Sequence, residues 1–242
     1  MQEVQSLWIG GKLSNLEILC INSFLKNNVN FKLYCYQEIE NLPQGVIVAD
    51  GREILPENEI FCYQTGKGKG SFSAFSNVFR YYMLYLKGGV WVDMDLIYLK
   101  NFKTSNQYMF ASEQGDKYTN VASCFIMCPP KSEIMKYCYE KSKNVDKKTL
   151  EWSVIGPKLL SKGIDKFKLN KYIKNYQKFC PIKFKDWRKI IEPNHKFNFD
   201  NSNAIHFWNE KWRRGGVNKN DNFESNCLYS ELKNKYSIIL HN

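Results

Sequence analysis

The chain has 242 residues, 43% of them hydrophobic, enough for one large domain or two small ones. Its 35 basic and 24 acidic side chains leave a formal charge of +11, which suits anionic partners (nucleotides, nucleic acid, an acidic membrane surface) without choosing among them. No apolar run has the length of a membrane span and the N-terminus lacks the layout of a secretory signal, so residence in the cytoplasm is the expectation.

In chain order, "VQSLWIGG" (4–11) predicts a strand ending in a glycine turn. "SNLEILCINSFLKNN" (14–28) spaces its apolar residues for a helix, with Ser14 as cap and Glu17 completing a capping box. "FKLYCY" (31–36) predicts a second strand, and strand–helix–strand in so short a span is the pattern of a βαβ unit in a parallel sheet. "GKGKGS" (66–71) matches neither the Walker spacing nor the dinucleotide fingerprint. It reads as a solvated loop, with closure over a bound nucleotide as the alternative. "FSAFSNVFRYYMLYL" (72–86) is an aromatic-rich helix that "KGG" terminates. Then comes "GGVWVDMD" (88–95). As a strand it turns Val90, Val92 and Met94 to one face and Trp91, Asp93 and Asp95 to the other.

Beyond it, "YMFASE" (108–113) and "VASCFIMCPP" (121–130) predict two further strands, and "SEIMKYCYEKSK" (132–143) a helix. From about residue 144 the chain is less regular and more basic, with patches such as "KFKLNKYIKNYQKF" (166–179). No internal repeat or long low-complexity linker interrupts it, so a single domain over 1–242 is expected. The eight cysteines are scattered within apolar patterns, and Cys124 and Cys128 of "CFIMC" have no second pair at zinc-site spacing. Reduced core thiols are the expectation.

Two carboxylates on one strand face repel unless something positive joins them. A divalent metal of the magnesium or manganese kind is one answer, since oxygen ligands suit it. A hydrolytic acid–base pair and a solvated strand end are the others. In the preceding helix Asn77, Arg80 and Leu84 share a face, and the glycine turn can bring Arg80 back toward Asp93 and Asp95, as a counter-charge for the carboxylates or for a phosphate.

The block "FSAFSNVFRYYMLYLKGGVWVDMD" resembles, without a gap, the A-x-x-S-D-x-x-R-x-x-x-L-x-x-x-G-G-x-Y-x-D-x-D pattern of the DXD-containing sugar transferases, glycosyltransferase family 32. That group includes capsule and lipopolysaccharide glycosyltransferases, yeast mannosyltransferases and the catalytic domains of clostridial glucosylating toxins. Ser76, Arg80, Leu84, Gly88, Gly89, Asp93 and Asp95 fall in register. "LWIGG" (7–11) is similar to the family's first strand, "VIGPKLL" (154–160) to its G-P loop, and "AIHFWNEKW" (204–212) to its C-terminal His/Trp segment. The clear likeness covers residues 4 to about 100.

The resemblance implies a GT-A fold, an α/β architecture with a Rossmann-like, mostly parallel sheet flanked by helices. Residues 1–100 would form the nucleotide-sugar half and 101–242 the acceptor half. It implies Trp8, beside Leu7, as the ring stacked on uracil, Asp93 on the ribose and a metal-linked water, and Asp95 on the metal. Arg80 would contact the donor sugar or its phosphate, and Ser76, Asn77 and Trp91 would line the donor site. His206 can complete the metal site or be packed away. Trp208 and Trp212 can form a lid over the diphosphate or fill the core. Glu113 and Asn120 are candidates for the sugar pocket border; His195 has no supporting context.

Two positions depart from the family. Asn77 stands where an aspartate is usual, keeping hydrogen bonding but losing the charge-assisted part, and Trp91 replaces a tyrosine.

The function this implies is a retaining, manganese- or magnesium-dependent glycosyltransferase using a UDP-sugar. The acceptor would be a saccharide, on a lipid carrier in the fullest form of the reading, in capsule, O-antigen or lipooligosaccharide synthesis. The protein would be cytoplasmic, with peripheral contact to an anionic inner membrane face. A toxin-like enzyme acting on a protein and a non-catalytic sugar-nucleotide binder are the alternatives. No recognisable nucleic-acid module accompanies the basic charge, so nucleic acid is not an expected partner.

Overall fold

The computed structural model describes residues 3–102, 107–115 and 119–236. Strand β1 (Glu3–Trp8) leads into helix α1 (Asn15–Leu25), whose capping box forms as the sequence predicts, with the Ser14 N–H donating to Glu17 Oε2 at 2.9 Å. Next come β2 (Asn30–Cys35) and a short edge strand, β3 (Ile47–Asp50), that the sequence reading does not include. Helix α2 (Ser73–Lys87) buries Phe75, Val78 and Phe79 along one stripe. It stops where Gly88 takes φ +63°; a Cβ there would sit 2.4 Å from the Pro130 nitrogen, so only glycine fits the turn.

Strand β4 (Gly89–Val92) ends earlier than the sequence reading has it. Asp93 and Asp95 therefore stand in the turn between β4 and a short strand β5 (Leu96–Tyr98), not on a continuing strand. The chain continues through β6 (Met109–Gln114), β7 (Thr119–Cys128), α3 (Glu133–Lys143) and α4 (Pro157–Lys166). After several 3-10 turns it adds β8 (Ala204–His206), α5 (Asn209–Arg214) and α6 (Leu228–Lys235).

The main sheet has the order β3-β2-β1-β4-β7-β6, with β3, β2, β1 and β4 parallel and β7 and β6 antiparallel to their neighbours. The mixed α/β sheet flanked by helices is the one expected. Each face of the sheet has its own apolar cluster. Val90 and Val92 join α1, β5, β8 and the C-terminal segments on one side, while Trp91 joins α2, α3 and α4 on the other. The alternation holds along the strand, and Met94 joins the Val90 and Val92 side although the strand itself ends at Val92.

The strand order reverses between β1 and β4. In open α/β sheets such a switch point opens a crevice at the C-terminal ends of the two strands, where ligands bind. Trp8 closes β1 there, and Asp93 follows β4 directly. Ser6 Oγ donates to the Val92 carbonyl at 2.7 Å and Gln5 Nε2 to the Gly88 carbonyl at 2.9 Å, fixing the two strands against each other beneath the crevice. Among the described residues no helix is long and apolar enough to cross a membrane.

Candidate active site

The β4–β5 turn is held from below and from the side. The Asp93 N–H donates to the Cys124 carbonyl of β7 at 2.9 Å, and the Phe207 N–H, just after β8, donates to the Asp95 carbonyl at 2.9 Å. β5 pairs antiparallel with β8 so that Leu96 stands opposite His206. This pairing of segments over a hundred residues apart delivers the histidine. Its Nε2 lies 3.2 Å from Asp95 Oδ1, and the ligand atoms of Asp93, Asp95 and His206 all fall within 4.8 Å of one another.

Arg80 reaches the turn from α2, as the helix face predicts. Its side chain is only 4% exposed and every arm has a partner. Nη1 lies 3.0 Å from Asp93 Oδ1 and donates to the Ser123 carbonyl at 2.5 Å; Nε donates to the Ser76 carbonyl at 3.2 Å and Nη2 to Ser76 Oγ at 3.1 Å. The guanidinium also lies 4.7 Å from the Trp91 ring centroid, and Trp91 Nε1 donates to Asp93 Oδ1 at 2.8 Å. Each guanidinium nitrogen of Arg80 is engaged, with Asp93 as its charged partner. Trp91, 1% exposed against Phe79, is the floor under Asp93 and presents no free ring face to a nucleotide.

The two carboxylates titrate in opposite directions. Burial raises the Asp93 pKa, and Asp95 pushes it further, against the pull of Arg80. Burial acts the same way on Asp95, but the His206 charge and hydrogen bond and the Asn209 N–H, 2.6 Å from Oδ2, outweigh it and hold Asp95 below the usual carboxylate range. Burial alone would lower His206; the Asp95 charge overrides it and lifts the imidazole to about 10. Without a metal the site is therefore an Asp95–imidazolium pair beside an Arg80–Asp93 pair. A cation coordinated by His206 must take the place of its proton.

Around this centre, Trp8 is partly buried, and Lys219 Nζ lies 5.7 Å over its ring. Lys219 also pairs with Glu17, which is fully buried, and the Asn15 N–H donates to Asn220 Oδ1 of the same loop at 2.9 Å. Sequence reasoning passes over Lys219 because nothing local links residue 219 to residue 8. Asn77, 6% exposed, touches the G-P loop: a Cβ on Gly156 would lie 3.1 Å from its amide nitrogen, and Tyr81 Oη donates to the Gly156 carbonyl at 3.1 Å. Leu7 is a core residue, 6% exposed.

A scan against protein families matches residues 14–114 to the glycosyltransferase sugar-binding region containing the DXD motif. The match spans α1, Arg80 and both aspartates of the DXD turn. Solved structures with a distant likeness to this chain include the PaToxG glycosyltransferase and the galactosyltransferase LgtC in complex with donor and acceptor sugar analogues. The first is 13% identical over 98% of this chain and 84% of its own, with a TM-score of 0.48. The second is 10% identical over 73% and 74%, with a TM-score of 0.41. No curated protein matches the chain significantly.

His206 falls outside the glycosyltransferase match and is brought to the DXD turn only by β8. The tryptophans after it are not a free lid. Trp212 is completely buried, its Nε1 donating to the Phe207 carbonyl at 2.7 Å and its ring set edge-on to Tyr229 at 5.1 Å. Trp208 is 9% exposed, lies against the His206 ring at 4.2 Å between centroids with the planes tilted by 56°, and donates from Nε1 to the Ile182 carbonyl at 3.0 Å. It is a wall for the histidine. Glu113 pairs in register with Asn120 on the β6–β7 edge, its carboxyl raised by burial against the opposing pull of the His206 charge. His195 bonds Glu192 on the surface at 3.1 Å and takes no part. The "GKGKGS" loop packs toward α5, where Arg213 Nη1 donates to the Lys69 carbonyl at 3.1 Å.

Proposed function

We propose that the chain is a metal-dependent, retaining glycosyltransferase that moves a hexose or N-acetylhexosamine from a UDP-sugar to a saccharide acceptor. The observation that carries this reading is the meeting of Asp93, Asp95 and His206 at the strand-order switch, one strand away from Trp8. Two carboxylates and an imidazole are a donor set for a hard to borderline divalent cation. Asp95 and His206 would hold a manganese or magnesium ion with Asp93 beside them; when bound, it supplies Lewis-acid stabilisation of the leaving diphosphate.

The protein's own residues prepare the site. Arg80 and the Trp91 N–H hold the Asp93 carboxylate in one orientation, leaving its second oxygen for a ribose hydroxyl or a metal-linked water. The Asn209 N–H does the same for Asp95. Trp8 offers a ring for the base once Lys219 moves aside or turns its charge to the diphosphate. Ser76 and Asn77 stand on the donor-sugar side, with Asn77 able to give and take neutral hydrogen bonds. Leu7 and Trp91 act from beneath, by packing. Retention follows from the family resemblance, as does the place of the acceptor in bacterial surface polysaccharide synthesis.

The test is a panel of UDP-sugars with manganese, reading thermal stabilisation and UDP release, with Asp95→Ala as control. Metal-dependent stabilisation of the wild type, lost in the variant, is expected. A wild-type protein that binds no UDP-sugar in manganese sinks the reading.

A further inference from the structure

Most buried cysteines of this chain use their S–H on a nearby polar group. Cys20 donates to the Leu96 carbonyl at 3.2 Å, Cys128 to the Leu84 carbonyl at 3.9 Å and Cys138 to the Leu159 carbonyl at 4.0 Å, while Cys227 pairs with Ser230 Oγ at 3.4 Å. Cys124 and Cys180 differ. Fifty-six residues apart and both buried, they face each other with Sγ atoms 3.6 Å apart, and a ring nitrogen of His206 lies within 4.8 Å of both. Among the described residues His206 Nδ1, itself buried, has no hydrogen-bond partner, while Nε2 is engaged by Asp95.

The separation is informative. Two thiolates bound to one tetrahedral zinc at about 2.3 Å each stand roughly 3.8 Å apart. A disulfide would need about 2.05 Å. At 3.6 Å the two thiols share an S–H···S hydrogen bond, and the same separation suits two ligands of one cation with little movement. Backbone bonds hold the set in place: the Asp93 N–H is tied to the Cys124 carbonyl, and the His206 N–H donates to the carbonyl of Phe179, the neighbour of Cys180, at 2.9 Å.

We propose that Cys124, Cys180 and His206 form a second metal site, for zinc or another thiophilic divalent cation, directly behind the Asp93–Asp95 pair. Binding breaks two S–H bonds and one N–H bond of His206 and forms two S–metal bonds and one N–metal bond, with the three protons leaving to solvent, so no oxidant or reductant is involved. Three protein ligands leave the fourth position to water. Because His206 belongs to both ligand sets, the thiol site and the carboxylate site cannot both be complete. A soft cation behind the turn takes the histidine from a hard cation in front of it. The ligand types sort the cations accordingly, thiolates selecting zinc-like ions and carboxylates manganese or magnesium.

Cadmium titration of the metal-free full chain tests this, read by thiolate-to-cadmium charge-transfer absorption and by equilibrium dialysis. One cadmium per chain with the thiolate band is expected. Cys124→Ser and Cys180→Ala should each weaken binding about tenfold or more, while Cys138→Ala leaves it unchanged. Manganese should raise the apparent cadmium Kd. The cadmium NMR shift of the wild type, which reports the number of sulfur ligands, needs no variant to fold. Absence of the band, its survival in both variants, or a shift for fewer than two sulfurs overturns the proposal; indifference to manganese overturns the sharing of His206. The experiment contains no nucleotide, so failure to bind UDP-sugars leaves its outcome untouched.

Discussion

Arg80 brings four contacts to bear on a space of a few ångströms: a carboxylate, two carbonyls and a hydroxyl, with an indole face beneath. Lysine keeps the charge but not the planar fork that spans Asp93, Ser123 and Ser76. Arg80→Lys should therefore fold and yet loosen Asp93, lowering manganese affinity roughly 10- to 100-fold as loss of an outer-shell partner does. Calorimetric manganese titration would show it, and unchanged affinity would mean that Asp93 orients itself. Arg80→Ala strands a largely buried carboxylate and should in addition cost about 3–5 kcal/mol of stability by denaturant unfolding. The nearness of Arg80 to the carboxylates is legible in the sequence, since an i, i+3 helix face and a glycine turn are local facts. Its full commitment to Asp93 is not, because Ser123 and Trp91 enter from other strands.

Between elements, the Gly88 turn decides where the aspartates go. Its φ of +63° and the close approach of Pro130 leave no room for a Cβ. Gly88→Ala should destabilise by more than about 1 kcal/mol and shift the α2–β4 junction. Urea unfolding with manganese binding measured in parallel would reveal both effects, and a neutral result would show that β7 can yield. The same element scale explains which features are readable. The α1 capping box and the α2 stripe depend on residues within one or two turns, so pattern suffices. β3 is missed because an edge strand with Ile47 and Val48 exposed lacks the buried alternation that marks a strand. The early end of β4 is missed because alternation continues through Met94 and Asp95 while the backbone has already turned toward β8.

At the scale of the molecule, the C-terminal third is core as well as cover. Trp212 is buried among Phe207, Tyr229, Trp187 and Phe223. Trp212→Ala should cost about 3–5 kcal/mol, as large-to-small aromatic substitutions do. A mobile lid would instead lose turnover at unchanged stability, so a melting curve separates the two. Net charge acts over the same range. Lys162, Lys166, Lys168 and Lys171 are exposed together around the end of α4, and with the +11 balance they predict binding to anionic vesicles that weakens as salt rises. Equal cosedimentation with neutral vesicles, or none with anionic ones, would remove the membrane from the acceptor side of the proposal.

The sequence alone determined the features that are local: the βαβ start, the α2 face that carries Arg80, the glycine turn, and the DXD pair with its family pattern. Helical and strand periodicities are properties of neighbouring residues, and they survive whatever the rest of the chain does. The tertiary structure alone decided which groups meet across large sequence distances. It set His206 against Asp95 through β8, laid Lys219 over Trp8, buried Trp212, and brought Cys124 and Cys180 to ligand spacing. Those contacts depend on how the two layers close over the sheet, which no short window of residues encodes.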